Sequence, residues 1–92
     1  MMSIILDGAR MTDRAAAHDY LKKALSLPDY YGANLDALYD CLGELPKGVQ
    51  ICLINEARIR ENLGDYGEKL IDTFRDAADQ VAAFTLQEQE DS

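Results

Sequence analysis

Gly48-Val49-Gln50-Ile51-Cys52-Leu53-Ile54 (GVQICLI, 48–54) decides the fold. The run is mostly apolar and rich in β-branched residues, the composition of a buried strand. Segments of helical spacing stand on both sides of it. Upstream, Leu35, Leu38, Cys41, Leu42 and Leu45 form one apolar stripe at 100° per residue, with Asp36, Asp40, Gly43 and Glu44 opposite and Tyr39 at the boundary. Asn34 suits the N-cap of that helix, because its side chain can accept from an unpaired backbone amide one turn in. Downstream, Leu70, Ile71, Phe74, Ala77, Ala78 and Val81 make a second stripe within Glu68 to Val81, leaving Asp72, Arg75, Asp76 and Asp79 towards water. A strand this apolar prefers cover on both faces, more than 92 residues readily supply.

Working outward, Ser3 to Asp7 reads as a short strand closed by an Asp7-Gly8 turn. Thr12 or Asp13 can cap a helix carrying Ala17, Tyr20, Leu21, Ala24 and Leu25 on one face, and Pro28 should end it near Leu27. Asp29 to Ala33 becomes a loop turned by Gly32. Ala57 to Leu63 reads as a short helix, Asp65-Tyr66-Gly67 as a break, and Ala82 to Leu86 as a last strand. The order β-α-α-β-α-α-β predicts an α/β domain: a three-stranded parallel sheet with about four helices in two layers, joined by right-handed crossovers. If both crossovers step the same way, the helices collect on one face. The domain is expected over 1–86, with the polar, acidic end 87–92 disordered.

Nine basic against seventeen acidic side chains give a net charge of −8, which repels nucleic-acid phosphates and favours a basic partner. A chain of this length buries roughly 60 to 65 % of its unfolded surface, enough for a core but not for a deep, walled active site. Two cysteines, Cys41 and Cys52, are too few for a secreted disulfide framework, and no stretch reaches the length of a membrane span. A cytoplasmic protein with reduced thiols that contacts neither membrane nor nucleic acid is the expectation.

The single histidine, His18, lies mid-helix and far in sequence from either cysteine, so it reads as a surface or partly buried helix residue. Cys-x-x-Cys, a His/Cys cluster and a glycine-rich phosphate loop are all missing, and Cys41 and Cys52 read as core fillers. Asp36 and Asp40, at i and i+4, could hold a cation or act as acid and base. Carboxylates on a convex helix usually keep their water, so neither an enzyme nor a metal or cofactor site is expected. Tyr30-Tyr31 fits core packing or a protein interface equally well.

LPDYYGANLDALYDCL (27–42) resembles the signature segment of the barstar family, cytoplasmic inhibitors of secreted bacterial guanyl-preferring ribonucleases. The family pattern is Leu-Pro, two aromatics, Gly, Asn, Leu-Asp-Ala-Leu, an aromatic and Asp, and every element stands here in order. A looser likeness covers the whole chain and includes Phe74-Arg75-Asp76. The resemblance implies a plug without chemistry of its own: a helix carboxylate occupies the enzyme's phosphate position and forms charge-assisted hydrogen bonds there. Position by position, Asp40 matches the carboxylate that enters the phosphate site, Asp36 a flanking acid, Tyr30 an aromatic against the catalytic cleft, Tyr39 the aromatic at the interface edge, and Asp76 an acid from the last helix. Gly32 and Asn34 match the loop and cap that aim the helix. With Tyr31 and Glu44 on the same segment, the expected partner-binding set is Tyr30, Tyr31, Gly32, Asn34, Asp36, Tyr39, Asp40, Glu44 and Asp76.

The acidic face should also steer a basic enzyme into encounter. Three positions depart from the family pattern: Tyr39 stands where Trp is usual, Asp76 where a longer Glu is usual, and Ala33 lacks an acid sometimes found there. The resemblance implies an extracellular barnase-like ribonuclease as partner and a monomer when free. The alternative is a barstar-like binding or immunity module for a different basic toxin or a non-nuclease partner.

Overall fold

The apolar run at 49–54 is the middle strand of a three-stranded parallel sheet in the computed structural model, which describes residues 2–80 and 84–89. β1 (Met2–Asp7), β2 (Val49–Ile54) and β3 (Phe84–Gln89) stand side by side in chain order. Between them run α1 (Arg14–Ala24), α2 (Leu35–Gly43), α3 (Glu56–Leu63) and α4 (Asp65–Gln80), and a short 3-10 turn, Gly8–Arg10, follows β1. Each crossover moves one strand in the same direction, so the helices lie over one face. The α/β architecture, its parallel sheet and its four helices are those the sequence predicts.

Register shows how the sheet is covered. Leu6 pairs with Leu53, and Val49 with Phe84; these side chains and Ile51 point to the helical layer and are buried. There they meet Ala17 and Leu21 of α1, Leu38 and Leu42 of α2, Ile59 of α3, and Leu70, Ile71 and Phe74 of α4. The opposite face carries the row Ile5, Cys52 and Gln87, and Ile5 is 63 % exposed. β2 therefore has cover on one side only. Polar neighbours keep the open side wet: Ser3, Thr85, Gln87 and Gln89 are exposed, and Gln50 Nε2 donates to Gln87 Oε1 at 3.0 Å. Of the two expected core cysteines, Cys41 is buried, whereas Cys52 lies half-buried on this open face.

Several boundaries shift for local reasons. α1 stops at Ala24, ahead of the position set by Pro28, because Ser26 takes the left-handed conformation (φ 53°). Leu27 N–H then reaches Lys22 C=O at 2.9 Å and Ser26 N–H reaches Lys23 C=O at 3.4 Å, which together close a Schellman end. The break expected at Asp65–Gly67 is confined to Gly64, whose φ of 59° suits a residue without Cβ. Asp65, Tyr66 and Gly67 form the first turn of α4. β3, described from Phe84, runs past Leu86 through Gln89, pairing with Ile54, because backbone pairing continues after the apolar alternation ends at Leu86. Val81, Ala82 and Ala83 lie outside the described residues, as do residues 90–92 of the expected tail. No helix among the described residues is long and apolar enough to cross a membrane.

Candidate partner-binding face

α2 is aimed by the loop before it. Tyr31 N–H bonds to Pro28 C=O at 3.0 Å, and Asn34 caps the helix by accepting from Ala37 N–H at 2.8 Å. The Asn34 amide also donates back to Gly32 C=O at 3.3 Å. Gly32 was expected to turn the chain through its backbone freedom, but the left-handed residue is Ala33, at φ 53°. An L-residue other than Gly, Asn or Asp is strained there. Gly32 matters instead for space: a Cβ on it would lie 3.1 Å from the Asn34 amide nitrogen.

The cap holds α2 with Leu38, Cys41 and Leu42 inward and Asp36, Asp40 and Glu44 in water. Asp36 and Asp40 stand one turn apart on one face, about 6 Å along the axis. Among the described residues, neither they nor Glu44 nor Asp76 meets a cation in an ion pair or a donor in a side-chain hydrogen bond. The tyrosine pair divides the two readings between them: Tyr30 is 81 % exposed, while Tyr31 turns in and packs against the core.

α4 supplies the neighbouring edge. Tyr39 Oη donates to Gln80 Oε1 at 3.1 Å, fastening the aromatic shoulder of α2 to the end of α4. Lys69, near the start of α4, lines a cleft with Leu35 and Asp36. Lys69, Asp76 and Gln80 are spaced 7 and 4 residues apart and share one stripe of α4. Since both ends of the stripe meet α2, Asp76 falls beside the face that carries Asp36 and Asp40, and it is exposed. Asp36, Tyr39 and Asp40 of α2 thus stand beside the α4 stripe that carries Asp76, whereas Tyr31 turns inward and Glu44 lines a different cleft with Leu27, Pro28 and Pro46.

His18 is placed differently from its expected position. It is 3 % exposed, with Tyr31 Oη 2.5 Å from Nδ1 and Tyr66 Oη 2.6 Å from Nε2. Burial, with the nearby Arg14 guanidinium, holds its pKa below the ordinary histidine value. Burial likewise raises the Tyr31 and Tyr66 hydroxyls. The Arg14 guanidinium lies over the Tyr66 ring at 4.0 Å. Helical spacing alone hides this cluster, because it gathers residues 18, 31 and 66 from three segments.

A second cluster absent from the sequence reading lies where α3, α4 and β3 meet. Glu56 opens α3 and is 1 % exposed, with neither carboxylate oxygen hydrogen-bonded among the described residues. Arg60 and Arg75 approach it only to 3.8 and 4.0 Å, while Arg75 binds Glu88 at 2.7 Å and Arg60 pairs with Glu68. Burial and the adjacent Glu88 push the Glu56 carboxyl up to about 7, against the pull of the two arginines. The Arg75 bond holds Glu88 below the ordinary carboxylate range. Among the described residues no three His, Cys, Asp or Glu side chains converge as metal ligands.

Comparison with known proteins bears on the family. The family model for barstar, the barnase inhibitor, matches residues 1–91. The chain is also similar to "Putative ribonuclease inhibitor YrdF" of Bacillus subtilis (strain 168), with 37 % identity over 82 residues, 88 % of this chain and 90 % of that protein. A match over nearly the whole length, on a parallel α/β fold with a capped acidic helix, places this chain in the barstar family.

Proposed function

We propose that the protein is a ribonuclease inhibitor that plugs the basic, phosphate-binding site of a secreted bacterial guanyl-preferring ribonuclease with the acidic face of α2. One observation carries this reading: Asp36 and Asp40 project one turn apart from a rigidly capped helix, exposed and without an internal cation. Charges left in that state can exchange water for the Arg, Lys and His side chains that hold RNA phosphate. Asp40 takes the phosphate position. Asp36 and Asp76 flank it, Tyr30 packs on the cleft, and Tyr39 closes the edge from its anchor on Gln80. Tyr31, Gly32 and Asn34 hold the loop, and Glu44 adds to the attractive field. The inhibitor performs no reaction. It acts as a monomer in the cytoplasm, where its two free thiols stay reduced.

Titrating the protein against several guanyl-preferring ribonucleases tests the proposal. RNA cleavage should fall linearly to zero at one equivalent; undiminished cleavage at clear molar excess over all of them overturns it. The shorter Asp76 and the smaller Tyr39 favour a second reading, in which the same face meets a different basic toxin. Affinity capture separates the two: a small basic ribonuclease supports the first, and another basic protein supports the second.

A further inference from the structure

One open cleft beside α2 carries both signs of charge. Arg14 of α1 and Lys69 of α4 stand on its walls with Asp36, among Asn34, Leu35 and the Tyr66 ring. Both cations are exposed, and among the described residues neither makes an ion pair. The Arg14 guanidinium lies over the Tyr66 ring at 4.0 Å, and stacking of this kind engages its face while leaving its N–H groups available. Helix stability does not account for the two positions. Arg14 occupies the first turn of α1, where a cation opposes the helix dipole and where the chain places no acid. Asp65 stands four residues before Lys69, the spacing of an intrahelical pair, yet that pair does not form. Asp36 has closed onto neither cation.

We propose that Arg14 and Lys69 form a selectivity notch that receives a carboxylate side chain from the rim of the ribonuclease's basic site, so that the inhibitor distinguishes among basic enzymes by the acid beside that site. The proposal rests on the ribonuclease-inhibitor reading and names a feature the target must carry. The cleft adjoins the binding face because Asp36 belongs to both. A uniformly basic surface docked there would meet two cations without counter-charge and lose affinity. A carboxylate next to the basic cluster reverses the sign of that interaction: Arg14 donates N–H bonds, Lys69 supplies a mobile ammonium, and Leu35 packs on the aliphatic stem. Asp36 then meets a cation beside the incoming acid, so the two surfaces alternate in charge. RNA phosphate is a poorer occupant, since the net charge of −8 and Asp36 within the cleft both repel a polyanion. An enzyme lacking the acid is rejected by repulsion, the element that specificity adds to attraction.

The sign of one substitution tests this. If the two cations only dilute an acidic field, Lys69→Glu makes the inhibitor more acidic and tightens its hold on a basic enzyme; the notch requires the opposite. Against a ribonuclease that wild type inhibits, Lys69→Glu should raise the inhibition constant about tenfold and Arg14→Gln about threefold. Lys47→Glu, at an exposed lysine outside the cleft, should leave the constant unchanged or lower it. Changing each exposed Asp and Glu of that enzyme in turn to its amide should find one carboxylate whose loss weakens inhibition by wild type and has no further effect on Lys69→Met. Inhibition by Lys69→Glu as tight as wild type or tighter, or a scan in which no carboxylate couples to Lys69, overturns the proposal. If no carboxylate couples and inorganic phosphate raises the melting temperature of wild type but not of Lys69→Met, the cleft is a site for a free anion and the proposal falls. Wild type that inhibits no ribonuclease strikes the functional reading and the notch together, whereas strong wild-type inhibition with an unaffected Lys69→Glu strikes the notch alone.

Discussion

Two carboxylate-rich regions of this molecule use the same side chains in opposite ways. Where α3, α4 and β3 meet, Glu56, Glu68, Asp72 and Glu88 are gathered around Arg60 and Arg75, with Arg75 alone reaching three of them. On α2 and the adjoining stripe of α4, Asp36, Asp40, Glu44 and Asp76 meet no cation among the described residues. The first set holds a corner of the fold together. The second is free to interact outward, and a surface that satisfies its own charges would have little to offer a basic partner. On the proposed reading, what a net charge of −8 offers a basic partner is the set of carboxylates on α2 and α4 left without cations.

Substitutions that separate stability from inhibition can break this comparison. Asp40→Ala should give the largest effect, costing about 3 kcal/mol of affinity for the ribonuclease by leaving its cations buried and unpaired. Its unfolding midpoint should stay at the wild-type value. Calorimetric titration beside a thermal melt checks both halves, and a destabilised protein with intact affinity would reverse the assignment of the two regions. Arg75→Ala should do the converse, lowering stability by about 2 kcal/mol in urea unfolding while each folded molecule still inhibits. The figure sits below the full cost of breaking a buried pair because the Arg75 side chain is 45 % exposed.

Glu56→Gln sharpens the contrast through pH. The folded pKa of Glu56, about 7, lies above its unfolded value, so its contribution is complete below about pH 4.3 and lost as pH rises through 7. Gln does not titrate. The variant should therefore gain on wild type by on the order of 1 kcal/mol between about pH 5 and about pH 8, and a stability difference that stays flat over that range would mean Glu56 carries no such proton. The smallest effect is expected at Ala33→Gly, which relieves the left-handed alanine at φ 53° and should stabilise the protein by about 0.5 kcal/mol. Equal or lower stability there would show that the loop is not strained.

Periodicity made most of the architecture legible. Leu38, Cys41 and Leu42 of α2 and Leu70, Ile71, Phe74 and Ala77 of α4 are buried as their spacing selects, because the hydrophobic demand of a single core is strong and local, whereas the run at 49–54 buries only Val49, Ile51 and Leu53. The ends were less legible. α1 ends three residues before Leu27 because a Schellman closure at Ser26 acts before proline can, and Gly64 breaks α3 from α4 where Asp65-Tyr66-Gly67 had looked like the interruption. The candidate contact residues other than Asp76 are drawn from a dense local motif on one helix and the loop before it. The His18-Tyr31-Tyr66 cluster and the Glu56 corner could not be read locally, since each assembles side chains from three elements that only the tertiary fold brings together. A lone histidine and a lone glutamate carry no local sign of such burial.

The central claim is that α2 takes the place of substrate phosphate. Calorimetric titration of the protein into a ribonuclease that it inhibits, with and without saturating guanosine 3′-phosphate, tests this most directly. The account predicts that the nucleotide weakens apparent affinity in proportion to its own occupancy, as competition for one site requires. An affinity unchanged by a filled phosphate site would place the contact elsewhere and contradict the account.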